Sequence, residues 1–185
     1  MPQYIAFLRG INVGGHRVKM DRLREIFVEL GLKDVSTFIA SGNVLFSTDS
    51  DDADGVRVTV EDHLASQLGY EVPTFLRSPA ELAATVAFCP PEIATQTEES
   101  SSHYVIFLDT STPDSLRSDL AQMNSEIDHF YFAGTEMHWL IQGKLTESPL
   151  FDSGLDQATR GVRTTMRNMN TLRRIAAKTN PPWTT

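Results

Sequence analysis

The sequence predicts an α+β fold, a tandem of two βαββαβ subdomains with antiparallel sheets. Three observations predict it. Short apolar runs of strand length alternate with segments whose apolar residues recur at helical spacing. The order strand, helix, strand, strand, helix, strand occurs twice. Between the two sets lies a stretch rich in proline, serine, threonine and glutamate with little apolar content. These place an N-terminal subdomain at 1–88, a linker at 89–102 and a C-terminal subdomain with a closing helix at 103–185. A chain of 185 residues, 41% of them apolar, holds two small domains with packed cores.

In the first half, Tyr4 to Leu8 reads as a buried strand, followed by the glycine-rich loop Arg9-Gly10-Ile11-Asn12-Val13-Gly14-Gly15-His16. Met20, Leu23, Ile26, Phe27 and Leu30 fall on one helical face, and Gly31 sits where a helix-ending glycine belongs. Val35–Ile39 and Val44–Ser47 read as a hairpin around Ser41-Gly42-Asn43, with Asn43 as a turn residue that tolerates positive φ. Val56, Val60, Leu64 and Leu68 mark a second helix. Val72–Leu76 reads as the last strand, and Pro73 within it demands an edge position. This is the split βαβ, or ferredoxin-like, order. Ser78-Pro79-Ala80-Glu81 then opens a helix with a capping box.

The second half repeats the element order without repeating the sequence. Tyr104–Leu108 is a strand, and Thr112-Pro113-Asp114 starts a helix carrying Leu116, Leu120 and Met123. Phe130–Phe132 and Met137–Ile141 are strands either side of a turn at Gly134. Ser148-Pro149 is expected to start a short helix, Val162–Met166 to form the final strand, and residues 168–178 the closing helix, ended by Pro181-Pro182. Trp139 and Tyr104 are expected in the core, and Cys89 is expected to be a buried or incidental thiol.

Composition excludes several classes. No apolar run approaches the roughly 18 residues of a membrane helix, and no signal peptide opens the chain, so a cytoplasmic protein is expected. One cysteine supports neither an internal disulfide framework nor a thiolate metal cage. The net charge of −8 opposes general nucleic-acid binding, and no DNA partner is expected. The charge is unevenly placed: from Gln157 onward there are six bases and no acid, while the body carries ten bases against twenty-four acids, a net −14. Either the basic tail packs on its own acidic body, or it serves an anion site.

The motifs resemble a known family. Arg9 to Gly15 with Lys19-Met20, then Ser41-Gly42-Asn43-Val44, then Thr164 to Thr171 resemble the signatures of the uncharacterised bacterial family called domain of unknown function 1697. The resemblance implies two ferredoxin-like subdomains and no established activity. Met169 stands where the family's closing motif has tryptophan, Gly143 where it has serine before Lys144-Leu145, and His16 where a basic residue often follows the glycines.

The chemistry these residues support is anion binding. Glycines between a strand and a helix let backbone N–H groups approach an anion, and a helix N-terminus favours negative charge. Arg9 adds a bidentate donor. The alternative is a tight turn with Arg9 paired to a surface acid. Arg167 precedes the closing helix as either a ligand contact or a structural ion pair, with Asn168 as its N-cap. Asn12, Asn43 and Asn170 hydrogen-bond but do not act as bases. The ligand-binding candidates are therefore Arg9, Asn12, Gly14, Gly15, Ser41, Asn43, Arg167, Asn168 and Asn170, converging on one cleft for a small phosphorylated or carboxylated ligand. The five histidines show no metal-ligand spacing, so no metal or cofactor is expected, and no catalytic residue is assigned. An enzyme working by electrostatic positioning and an RNA-contacting module are the alternatives.

Overall fold

The computed structural model describes residues 1–90, 101–151 and 154–179. The chain divides into two compact units, one of Met1–Ala83 with the chain from Ile175 onward, the other of Ala84–Arg174. Most of the expected linker, and Pro181-Pro182, lie outside the described residues.

In the first unit the elements are β1 (Gln3–Leu8), α1 (Met20–Glu29), β2 (Lys33–Thr37), β3 (Asn43–Ser47), α2 (Ala53–Leu68) and β4 (Thr74–Arg77). They form an antiparallel sheet in the order β2-β3-β1-β4. Alternation along the strands sets the two faces. Tyr4, Ala6 and Leu8 of β1, with Val44 and Phe46 of β3, meet Leu23, Ile26 and Phe27 of α1 and Val56, Val60 and Leu64 of α2. Each fully buried valine, leucine, isoleucine or phenylalanine among them contributes about 1.5–3 kcal/mol. Ile5 and Phe7, with Leu45 opposite Ile5, occupy the other face and are equally buried. The central strands therefore read as unbroken apolar runs.

Local signals set the helix ends. Asp52 accepts from the Gly55 N–H at 3.0 Å and caps α2, and Gly69, at φ +78°, closes it. Pro73 lies just before β4, not inside a strand over Val72–Leu76. Its carbonyl accepts from Arg9 N–H at 2.9 Å, and its missing N–H keeps it out of the ladder. The edge position of β4 itself is as expected. In α3 (Pro79–Ala87) the capping box is closed both ways: Ser78 N–H donates to Glu81 at 2.7 Å, and Glu81 N–H donates to Ser78 Oγ at 3.2 Å. Cys89 is exposed, not buried.

The second unit contains β5 (Ser102–Leu108), α4 (Asp114–Ala121), β6 (Asp128–Ala133), β7 (Glu136–Ile141), α5 (Gly154–Ala158) and β8 (Thr164–Asn168), followed by α6 (Met169–Thr179). Its sheet has the order β6-β7-β5-β8, the same arrangement as the first. Ile106, Leu108, Phe130, Met137, Trp139 and Ile141 form its core with Leu120 of α4, and Tyr104 packs against them partly buried. Gly134 takes φ +60° in the two-residue turn between β6 and β7.

Several boundaries differ from expectation: β2 is Lys33–Thr37 rather than Val35–Ile39, β5 begins at Ser102 rather than Tyr104, and β6 spans Asp128–Ala133 rather than Phe130–Phe132. Ser148-Pro149 opens only a single turn, in which Phe151 N–H reaches the Ser148 carbonyl at 3.1 Å, and α5 begins at Gly154. The last strand is Thr164–Asn168 rather than Val162–Met166, because its register sets Thr164 opposite Leu108 and Asn168 opposite Tyr104.

Candidate functional site

Two loops meet at one end of the first sheet. Phe7 of β1 lies opposite Asn43 of β3, so the chain leaving β1 and the chain entering β3 are neighbours. Leu8 N–H donates to the Gly42 carbonyl at 2.8 Å and extends this pairing into the loops.

In the first loop, Asn12 adopts φ +59° and acts as a clamp. Its Nδ2 donates to the Ala40 carbonyl at 3.0 Å, and its Oδ1 accepts from Val18 N–H at 2.8 Å. One side chain thus ties the loop to its own far end and to the second loop. Val13 to His16 closes a turn by a 3.1 Å hydrogen bond, with Gly14 and Gly15 both at positive φ. Ile11 and Val18 are buried anchors, while Arg9 and residues 12–17 are exposed.

In the second loop, Asn43 is the first residue of β3 and fully buried, not a positive-φ turn residue. Its Nδ2 donates to the Phe38 carbonyl at 3.0 Å and to Ser41 Oγ at 2.9 Å, holding the loop from inside. Positive φ falls instead on Gly42 (+70°) and on Ile39 (+50°), whose side chain is 44% exposed. A β-branched residue in that region is an outlier. A Cβ on Gly42 would stand 3.0 Å from Ile11 Cβ and 3.1 Å from Leu8 Cβ. Gly42→Ala is therefore expected to cost about 2–4 kcal/mol, from the unfavourable φ and the overlap together. Urea denaturation checks this, and an unchanged midpoint would contradict the interlocking of the two loops.

Within its own stretch the first loop carries only basic charge. Met1 to Met20 contains no acidic residue, and the first, Asp21, stands in the opening turn of α1. Arg9, Arg17 and Lys19 are exposed, and their side chains have no hydrogen-bond or ion-pair partner among the described residues. Lys19 is the N-cap of α1 and makes no side-chain cap, which leaves the first N–H groups of that helix without one. His16 packs tilted against Tyr70 with ring centroids 3.9 Å apart, and Lys178 Nζ lies 4.9 Å from the Phe38 ring centre.

The other candidates belong to the second unit. Arg167 lies within β8, opposite Val105, and is 8% exposed. Its guanidinium donates to Thr165 Oγ at 2.9 Å and to the Met166 carbonyl at 2.8 Å, and burial pushes its pKa down to about 10. Asn168 caps α6 by accepting from Asn170 N–H at 2.9 Å, and Asn170 Oδ1 accepts from Arg173 at 3.2 Å. Of the nine candidates, Arg9, Asn12, Gly14, Gly15, Ser41 and Asn43 fall in the first unit, and Arg167, Asn168 and Asn170 in the second.

The second unit also holds a pair that spacing could not reveal. His103 Nε2 and His138 Nδ1 are 2.9 Å apart across β5 and β7. Burial, then Arg173, pushes His103 down to about 4. Burial, then His103, pushes His138 down to about 4. Among the described residues no group of three or more histidine, cysteine, aspartate or glutamate side chains is placed to hold a metal. Nor is any described helix long and apolar enough to cross a membrane.

The chain belongs to the family described as protein of unknown function (DUF1697), whose model matches residues 1–138. It is similar to the solved structure of the conserved bacterial protein SP0830 from Streptococcus pneumoniae, with a TM-score of 0.73 and 22% identity. The likeness covers 95% of this chain and 97% of that one, and it bears on the fold alone. No curated protein matches the chain.

Proposed function

We propose that this member of the family binds a small phosphorylated or carboxylated ligand at the paired loops of its first unit. The observation that carries the reading is a set of three exposed cations, Arg9, Arg17 and Lys19, with no side-chain partner among the described residues, in a stretch that holds no acid. On a protein of net charge −8, cations left unpaired at one place attract small anions while the body repels polyanions. The Gly14-Gly15 turn exposes backbone without side chains to obstruct it, and the uncapped start of α1 favours negative charge. Asn12, Ser41 and Asn43 serve the site by fixing the loops. A cytoplasmic location fits the single cysteine and the metabolite class such a site would take.

The test is a thermal-shift panel of inorganic phosphate, sulfate, nucleotides and sugar phosphates on the wild type and on Arg9→Ala/Arg17→Ala. A ligand at about a hundred times its Kd adds roughly 2.7 kcal/mol, a rise of roughly 5–10 °C for a chain of this size. The expected result is such a rise with a phosphate-bearing or carboxylate-bearing molecule that is lost in the double variant, whose own stability stays within about 0.5 kcal/mol of wild type. A flat panel, or a rise that the double variant retains, would overturn the reading.

A further inference from the structure

We propose that the His103–His138 pair is an acid-sensitive latch: two neutral rings joined by one hydrogen bond hold the β5–β7 face of the second unit packed, and proton uptake opens it. A neutral imidazole offers one donor and one acceptor. The shared bond uses one of each, so the two outward nitrogens, His103 Nδ1 and His138 Nε2, retain one N–H and one lone pair between them. Both atoms are buried and have no hydrogen-bond partner among the described residues, and His138 is wholly inaccessible. Opening of this face to water would satisfy both, so the closed pair sits against a standing desolvation penalty.

The surroundings oppose charge on the pair. Phe88 covers His138, ring centroid to ring centroid 4.3 Å. Arg173 of α6 acts on His103 as a like charge. Strand register places Arg167 of β8 opposite Val105 on the same face, and on that face also lie Glu136 of β7 and His129 and Tyr131 of β6. Glu136 is the one acidic group in this set. A first proton makes an imidazolium that still donates across the 2.9 Å contact, but it is buried and close to the Arg173 cation. A second proton puts hydrogen on both facing nitrogens, and the contact becomes donor against donor. The doubly charged pair is incompatible with the closed geometry, and the two protonations belong to the pair rather than to either ring.

The sign follows from linkage. Both groups fall from the ordinary 6.5 to about 4 in the folded state. The stability they confer is therefore complete above pH 6.5 and is lost as pH falls from 6.5 toward 4, where the open form takes up more protons.

The test compares the urea midpoint from pH 4.5 to 7.5 for the wild type and His103→Gln/His138→Asn, which keeps polar nitrogens near the facing positions but cannot titrate there. Below pH 6.5 the wild-type folding constant is expected to fall more steeply than that of the variant, by roughly tenfold to a hundredfold per pH unit for one to two extra protons. Equal slopes would overturn the proposal. If the variant does not fold, imidazole nitrogen NMR on the wild type decides. Both rings neutral at pH 5.5, with one N–H shared between them, supports the latch, and a protonated ring in the pair at that pH overturns it.

Discussion

Asn43→Ala is expected to destabilise the first unit by about 2–4 kcal/mol, read as a lower urea midpoint. The side chain is fully buried, and its amide is the internal tie of the loop between β2 and β3. Alanine removes an NH2 group that donates to both the Phe38 carbonyl and Ser41 Oγ, and losing buried hydrogen bonds of this kind costs about 1–3 kcal/mol, to which the small cavity adds. Asn43→Asp should be worse than alanine, because a carboxylate offers the Phe38 carbonyl an acceptor and places a charge in the core. The damage should also spread. Ala40 lies in this loop and takes the Asn12 amide at 3.0 Å, so loosening the loop releases the clamp on the glycine turn. Any ligand affinity of the paired loops should fall in Asn43→Ala although the residue is itself inaccessible.

Asp128→Ala is expected to cost the second unit a similar amount, about 2–4 kcal/mol by the same measurement. Asp128 is fully buried and accepts from Trp139 Nε1 at 2.8 Å and from Ser125 Oγ at 3.1 Å. Trp139 is 1% exposed at the centre of the core and stacks on Phe130, so an indole N–H without an acceptor has no water to turn to. Asp128→Asn retains an oxygen for Trp139 and should cost about 1 kcal/mol. Equal effects of the two substitutions would show that the indole hydrogen bond contributes nothing and that only volume matters.

The order of elements was legible because the central strands of each half are apolar runs and its helices carry their apolar residues along one stripe. The capping box at Ser78 and Glu81 was legible for a related reason: its chemistry is complete within four residues. What escaped the sequence depends on partners distant along the chain. Asn43 looks like a turn residue next to Gly42, yet its pairing opposite Phe7 draws it into the strand and buries it. Arg167 reads as a residue between the last strand and the closing helix, yet its pairing opposite Val105 draws it into β8 and buries it. His103 and His138 are 35 positions apart and meet only because Val105 pairs with His138. A slip of one residue in that register would put the two rings on opposite faces. The six first-unit candidates do gather at one end of a sheet, but three of them hold the loops together. The exposed cations Arg17 and Lys19, absent from the sequence-based set, join Arg9 there.

The most direct test of the proposed anion site is an amide NMR titration of the full chain with inorganic phosphate and with a nucleoside monophosphate. The account predicts saturable shifts confined to the amides of Arg9 to Lys19 and of Ala40 and Ser41, absent from Arg9→Ala/Arg17→Ala. Shifts confined to residues outside these loops, or no saturable shift with either probe, would contradict it.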